Sequence, residues 1–345
     1  MTELLTNTHP ALRSFWHPVA LESDVPDDAP LGVKLLGERW LVARLAGELV
    51  GMRDQCPHRL VPLSAGTIVG DELQCAYHGY RFDASGRTTA IPALGEGASI
   101  PPKACVAVAP VRVRFGLVWM CIGGEPLDDI LDDAGYVDPV NDQFLSGPFT
   151  TRASAGILTD NFLDAAHFPF LHAATFGGSD DGRPQLEVSR TGWRLHQLDM
   201  QMVDGAHLDV PEMSRAVYEL AAPFSVLLRL DRPGGSDHIW SFTCPVDDDT
   251  TIWYMVHAYP LGGDAELIAA AQKLQTAVGM EDLGILEQMD EPFVPLDIRA
   301  ELHTKADAGC LEYRRMLIEL VAIVGASDAS LSAADDPVAV LIGDR

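Results

Sequence analysis

Long apolar runs are missing from this chain of 345 residues. No stretch reaches the roughly 18 residues that a membrane helix needs, so no membrane span is expected. The opening Met-Thr-Glu-Leu-Leu-Thr lacks a basic segment followed by an apolar core, so no secretory signal is expected. Positive charge is scarce: 24 Lys and Arg stand against 50 Asp and Glu, a net charge of −26. That balance argues against a nucleic-acid role for most of the surface. No Gly-rich dinucleotide fingerprint follows a strand-like run, so no dinucleotide site is expected in this chain. No internal repeat is visible. There are only six cysteines. Four of them, Cys105, Cys121, Cys244 and Cys310, are scattered and read as buried, reduced thiols, which points to the cytoplasm.

The other two cysteines belong to a dense stretch from Gln55 to Gly79. It reads Gln-Cys56-Pro-His58-Arg and then Cys75-Ala-Tyr-His78-Gly. Thiolates and imidazoles are ligands that iron and zinc prefer. A structural zinc site spaces its ligands as C-x2–4-C and H-x3–5-H, and neither pair does so here. Cys-x-His followed by Cys-x-x-His fits a [2Fe–2S] centre with cysteines on one iron and histidines on the other, the Rieske arrangement. Pro57 stiffens the first loop and Gly79 frees the second to turn. Leu60 and Val61 follow the first loop, and Ala76 and Tyr77 fill the second, so the bracing cysteines of respiratory Rieske proteins are absent. Fewer hydrogen bonds to the sulfurs would give a lower potential within the Rieske range.

Length alone sets a prior of two domains, and a hydrophobic content of 47% suffices for proper cores. Residues 1–37, with Pro10, Pro18, Pro26 and Pro30 around Phe15-Trp16, read as an arm packing on the second domain. Residues 38–128 read as a small antiparallel β domain holding the cluster. Its clearest local signal is a hairpin from Glu38 to Arg53 around Ala46-Gly47. Pro126 and the acidic run from Asp128 mark a boundary. Residues 129–325 mix helices (156–171, 264–289, 311–324) with strands (186–202, 217–230, 239–259), an antiparallel sheet covered by helices. Residues 326–345 are rich in Ser, Ala and Asp and read as a poorly ordered tail. The fold class expected is therefore α+β. Residues 51–120 carry seven basic against five acidic groups, the least acidic part of the chain. An acidic electron donor would dock there.

A second constellation reads Asp160-Asn161-Phe-Leu-Asp164-Ala-Ala-His167-Phe-Pro-Phe-Leu-His172. Asn161, Asp164 and His167 are three apart and would share one helix stripe. Asp164 would then hydrogen-bond and orient the His167 ring. His172 is five residues past His167, about 140° round an ideal helix. Both imidazoles reach one metal only if the helix ends or bulges between them, and Pro169 supplies a reason. Two histidines and one carboxylate with open positions mark non-haem Fe(II) oxygenases. Asp282, flanked by apolar residues on a later helix, is the first candidate for the carboxylate; Glu281, Glu287 and Asp290 are weaker ones.

On these residues the chain resembles the α subunits of Rieske non-haem iron oxygenases. Phe15-Trp16-His-Pro-Val-Ala is similar to the family's start. Cys56, His58, Cys75 and His78 match its cluster ligands, Asp160 to His172 its iron helix, and Glu281-Asp282 with the following Ile-Leu-Glu-Gln its third-ligand segment. The resemblance implies a [2Fe–2S] cluster and a mononuclear Fe(II) held by His167, His172 and Asp282. It implies a head-to-tail homotrimer in which Asp164 bridges one subunit's cluster to the next subunit's iron, with Asn161 beside it. It also implies O2 chemistry on a small, largely apolar organic substrate, by hydroxylation or oxidative demethylation, as in the α-only group. Electrons would come from a separate NAD(P)H-dependent reductase or a ferredoxin. Two rival readings remain, a Rieske electron carrier and a zinc-stabilised binding protein. The carrier needs only about a hundred residues and no second metal.

Overall fold

The structure, a computed structural model, describes residues 3–95, 97–176, 184–199, 215–232 and 235–332. Three two-residue turns build the first part of the chain. Leu36-Gly37, Ala46-Gly47 and Phe115-Gly116 each place both residues at positive φ. That is the geometry of the hairpin turn whose twist matches paired strands. They close the hairpins Leu31–Leu35 with Glu38–Leu45, Glu38–Leu45 with Glu48–Arg53, and Val111–Arg114 with Leu117–Met120.

The cluster loops project from two small four-stranded sheets. One runs in the order Val108–Ala109, Glu48–Arg53, Glu38–Leu45, Leu31–Leu35; the other joins Thr67–Val69, Glu72–Gln74, Arg81–Phe82 and Thr88–Ala90. Their shared core is Leu41, Leu45, Met52, Leu63, Leu73, Phe82 and Val106, with Cys56 and Cys75 among them. Gly66 lets this sheet close, because a Cβ there would sit 2.2 Å from the Gln74 carbonyl oxygen.

The second part is a seven-stranded antiparallel sheet in the order Asp142–Thr151, Thr250–Tyr259, Gly235–Asp247, Ser225–Arg232, Arg215–Ala221, Arg194–Asp199, Leu186–Thr191. Among the described residues, five helices accompany it: α1 (Ala155–Leu163), α2 (Phe168–Leu171), α3 (Ala173–Phe176), α4 (Ala265–Leu286) and α5 (Ala308–Ser332). Ser154 caps α1 and Asp264 caps α4 with side-chain oxygens that accept backbone N–H groups. Gly279 of α4 lies close against Met255 and Trp253 of the sheet. The opposite face is covered by a three-stranded sheet of Val111–Arg114, Leu117–Met120 and His17–Leu21. There Phe115 packs 5.0 Å and Trp119 4.8 Å, between ring centroids, from Phe242.

The α+β class and the antiparallel sheet with its helices agree with the sequence reading; two boundaries do not. The division at 37/38 falls inside the Leu36-Gly37 turn, so the arm's strand Leu31–Leu35 belongs to the cluster domain's sheet. Its strand His17–Leu21 pairs with Leu117–Met120. The tail does not begin at 326, because α5 continues to Ser332 on helix-favouring alanines. Residues 333–345 lie outside the described residues, as do 200–202 of one expected strand. The edge strand Asp142–Thr151 was not expected. Pro148 sits where the register shifts, a place that tolerates a residue without an N–H.

Candidate active site

The two cluster loops close in the same way. Cys56 N–H donates to Val61 O and Leu60 N–H to Cys56 O. Cys75 N–H donates to Tyr80 O and Gly79 N–H to Cys75 O. In each loop the fourth residue after the cysteine takes positive φ, 60° at Leu60 and 69° at Gly79. Glycine meets this without strain, whereas Leu60 tolerates it with an exposed side chain. Both cysteines are buried and unpaired. Burial pushes the Cys56 thiol up, the neighbouring Cys75 thiol adds to that, and the backbone N–H groups of His58 and Arg59 counter it by favouring the thiolate. The rings of His58 and His78 lie 4.6 Å apart, with Tyr80 stacked on His58 at 4.8 Å. His58 Nδ1 is buried without a protein hydrogen-bond partner, as a ligand atom would be.

Among the described residues, the four groups do not converge on one point as ligands of a single ion would. The one such convergence is His167, His172 and Asp282.

In the second domain α1 stops earlier than the sequence suggested. Pro169 has no N–H, and its ring would meet the carbonyl of Ala165 in a continuous helix. The chain instead leaves α1 at Asp164 (ψ 111°) and restarts as α2, with Pro169 in its first turn. Asn161, Asp164 and His167 therefore do not share one helix stripe. Asp164 Oδ1 accepts from Ala166 N–H at 2.8 Å, which fixes the turn. Its Oδ2 lies 3.5 Å from His167 Nδ1, an approach without hydrogen-bond geometry.

The turn brings the two imidazoles together. His167 Nε2 and His172 Nε2 are 3.2 Å apart, and Asp282 Oδ1 lies 3.5 Å from the first and 3.3 Å from the second. Asp282 is 4% exposed on the inner face of α4, beside Leu283 and Leu286. Asn161 Nδ2 donates to Asp282 Oδ1 at 3.0 Å. Glu281 does not join the trio; its Oε2 is 2.7 Å from the other nitrogen of His172, Nδ1. Glu287 accepts from Thr151 Oγ1 at 2.7 Å, and Asp290 is exposed. Burial lowers the His172 pKa, but Asp282 and Glu281 outweigh it and hold the pKa above the ordinary value.

Sequence reasoning missed one brace of this site. Arg314 of α5 is buried and forks onto Asp160 of α1, with Nε 3.2 Å from Oδ1 and Nη2 2.7 Å from Oδ2. Two residues separated by 154 positions leave no local signal.

The chain matches the Rieske [2Fe-2S] domain over residues 15–109 and the vanillate O-demethylase oxygenase C-terminal domain over residues 151–322. It is 32% identical to methylxanthine N1-demethylase NdmA of Pseudomonas putida, over 95% of this chain and 94% of that protein. The chain belongs to the Rieske oxygenase α subunits. It is also 28% identical to the vanillate O-demethylase oxygenase subunit of Pseudomonas sp. (strain ATCC 19151), over 86% of this chain and 98% of the relative. The solved structure of Pseudomonas putida CBB5 NdmA with caffeine superposes with a TM-score of 0.79 at 28% identity, covering 90% and 91% of the two chains. Dicamba monooxygenase bound to dicamba, at 23% identity and a TM-score of 0.75, shares the fold. As a Rieske oxygenase the chain is an oxidoreductase with a [2Fe–2S] domain and a mononuclear iron domain. That disposes of the electron-carrier and zinc readings. No helix among the described residues is long and apolar enough to cross a membrane.

Proposed function

We propose that this terminal oxygenase removes a methyl group from nitrogen or oxygen on a small planar ring, or hydroxylates such a ring. Cys56, His58, Cys75 and His78 would hold the cluster, and His167, His172 and Asp282 the Fe(II). The observation that carries this reading is the meeting of two Nε2 atoms and one carboxylate oxygen within 3.2 to 3.5 Å. Two imidazoles and one carboxylate leave open positions, as non-haem iron oxygenases require. When bound, the metals supply one-electron transfer and O2 activation. The demethylase relatives favour a methyl carried on a nitrogen of the ring or on an oxygen attached to it.

Atoms and electrons balance when each O2 takes two electrons and two protons. One oxygen enters the C–H bond and the other leaves as water; a hydroxymethyl group on a heteroatom then releases formaldehyde. The chain's own part is to position. Asn161 fixes Asp282, and the turn at Asp164 aims both imidazoles. The substrate pocket would lie between the 156–180 segment and the 217–260 sheet; residues 177–180 lie outside the described residues. Asp164 would face a neighbouring subunit's cluster in a homotrimer, supported by its loose approach to His167. A separate reductase or ferredoxin would supply the electrons. The unpaired cysteines suit a reducing, cytoplasmic compartment.

Iron and acid-labile sulfide content tests the two-site reading. Three irons and two sulfides per chain are expected, and two of each after Fe(II) loading would mean that His167, His172 and Asp282 do not hold the third iron. Formaldehyde release from methylxanthines and methoxybenzoates, with a surrogate reductase, separates demethylation from ring hydroxylation.

A further inference from the structure

The two imidazoles of the trio are held unequally. His167 Nδ1 has no hydrogen-bond partner, and the Asp164 carboxylate stands 3.5 Å away. His172 is fully buried, with Glu281 Oε2 2.7 Å from its Nδ1. The second oxygen of Glu281, Oε1, accepts from Thr175 Oγ1 of α3. Thr175 N–H in turn donates to the backbone oxygen of His172 at 2.9 Å. These contacts close a ring through α2, α3 and α4.

We infer that Glu281, held by Thr175, is the positioning residue that aims His172 at the metal. The inference rests on the two-histidine, one-carboxylate site proposed above. An ionised carboxylate only accepts hydrogen bonds, so the ring proton sits on Nδ1 and the lone pair sits on Nε2. Nε2 is the atom that faces His167 and Asp282. Both Glu281 oxygens already have donors on the far side of the imidazole, so Glu281 orients and does not ligate. Carboxylates in this position fix the tautomer and raise ligand basicity, and their loss costs about 10- to 100-fold in metal affinity. His172 is thus the rigid ligand and His167 the compliant one.

The test is Fe(II) affinity of the full chain with its cluster intact, measured by equilibrium dialysis against a chelator. Cluster absorbance and thermal unfolding report folding in the same samples. Glu281→Ala should bind Fe(II) about 10- to 100-fold more weakly. Glu281→Gln, whose amide oxygen still accepts from Nδ1–H, should stay within about threefold of wild type. Thr175→Val leaves Glu281 in place but unlatched, and should fall between the two. Wild-type affinity in folded Glu281→Ala would overturn the inference. So would Glu281→Gln binding as weakly as Asp282→Ala, since Glu281 would then be a ligand. His172→Ala and Asp282→Ala are the controls. If both keep Fe(II), the site reading itself fails, whatever Glu281 does.

Discussion

Asn161 Nδ2 donates to Asp282 Oδ1 across 3.0 Å, joining α1 to α4 at the oxygen that faces both imidazoles. A hydrogen bond to a charged group contributes about 1.5–3 kcal/mol. Asn161→Ala frees that carboxylate to rotate, so Fe(II) affinity should drop roughly 10- to 100-fold with the cluster spectrum unchanged. Iron retained per chain after dialysis against a chelator reads this directly. Full retention would mean that other contacts hold Asp282.

Asp164 has one oxygen committed to Ala166 N–H and the other loosely facing His167. Asp164→Asn keeps the turn but replaces an acceptor with a donor. The expected variant has its cluster, its iron and partner-driven reduction, with product formation down at least tenfold, about one lost charge-assisted bond. Product formed in a single turnover of pre-reduced protein is the measurement. A rate within about twofold of wild type would remove Asp164 from the electron path between subunits.

The basic surface around the cluster is smaller than its composition suggests. Arg53, Arg81, Arg87, Arg112 and Arg114 are each ion-paired, to Glu38, Glu72, Asp83, Asp129 and Asp132. Arg59 and Lys103 have no ion pair among the described residues, and Arg59 is exposed beside the Cys56 loop. Arg59→Glu should therefore slow reduction by the partner and flatten its salt dependence, whereas Arg87→Glu should do neither. Charges are screened over about 8–10 Å near physiological ionic strength. Stopped-flow reduction at increasing salt separates the two variants, and equal slopes for both would discard a charge-guided encounter.

Burial depresses two histidines, His17 to about 4 and His257 to about 3. Each is neutral when folded and titrates near 6.5 when unfolded. The unfolded chain therefore binds more protons below pH 6.5, and stability falls as the pH drops from there toward 4. Each group contributes a slope of up to about 1.4 kcal/mol per pH unit. His257→Leu should make the decline between pH 6.5 and 4.5 shallower in urea unfolding. An unchanged slope would mean that His257 is not buried neutral.

The Cys-x-His and Cys-x-x-His pattern was legible because ligand spacing is itself local: the four residues proposed to hold the cluster lie within a single short stretch. The hairpin at Ala46-Gly47 and the inward placement of Asp282 on α4 were legible for the same reason, period and turn chemistry. The break at Asp164 was half legible. Pro169 announced an interruption, but the helix yields where an aspartate side chain can take the freed N–H, three residues before the expected interval. Periodicity ranked Asp282 ahead of Glu281, but the contact of Glu281 with the far nitrogen of His172 left no sequence signal, because it depends on how α2 and α4 meet. The edge strand Asp142–Thr151 has a proline inside it and few apolar residues, so it carries no alternating pattern to read.

The pairing of His17–Leu21 with Leu117–Met120 bears on how such proteins can be recombined. A chimera that exchanges the cluster module at residue 38 would separate this strand from its partner and cut the hairpin at Leu36-Gly37. The orphaned layer would expose Trp119 and Phe115 to water, a sticky face on each half. A crossover upstream of Phe15, with its second junction beyond Met120, carries the layer across whole, so the exchangeable unit is set by sheet closure and not by the span of the metal ligands.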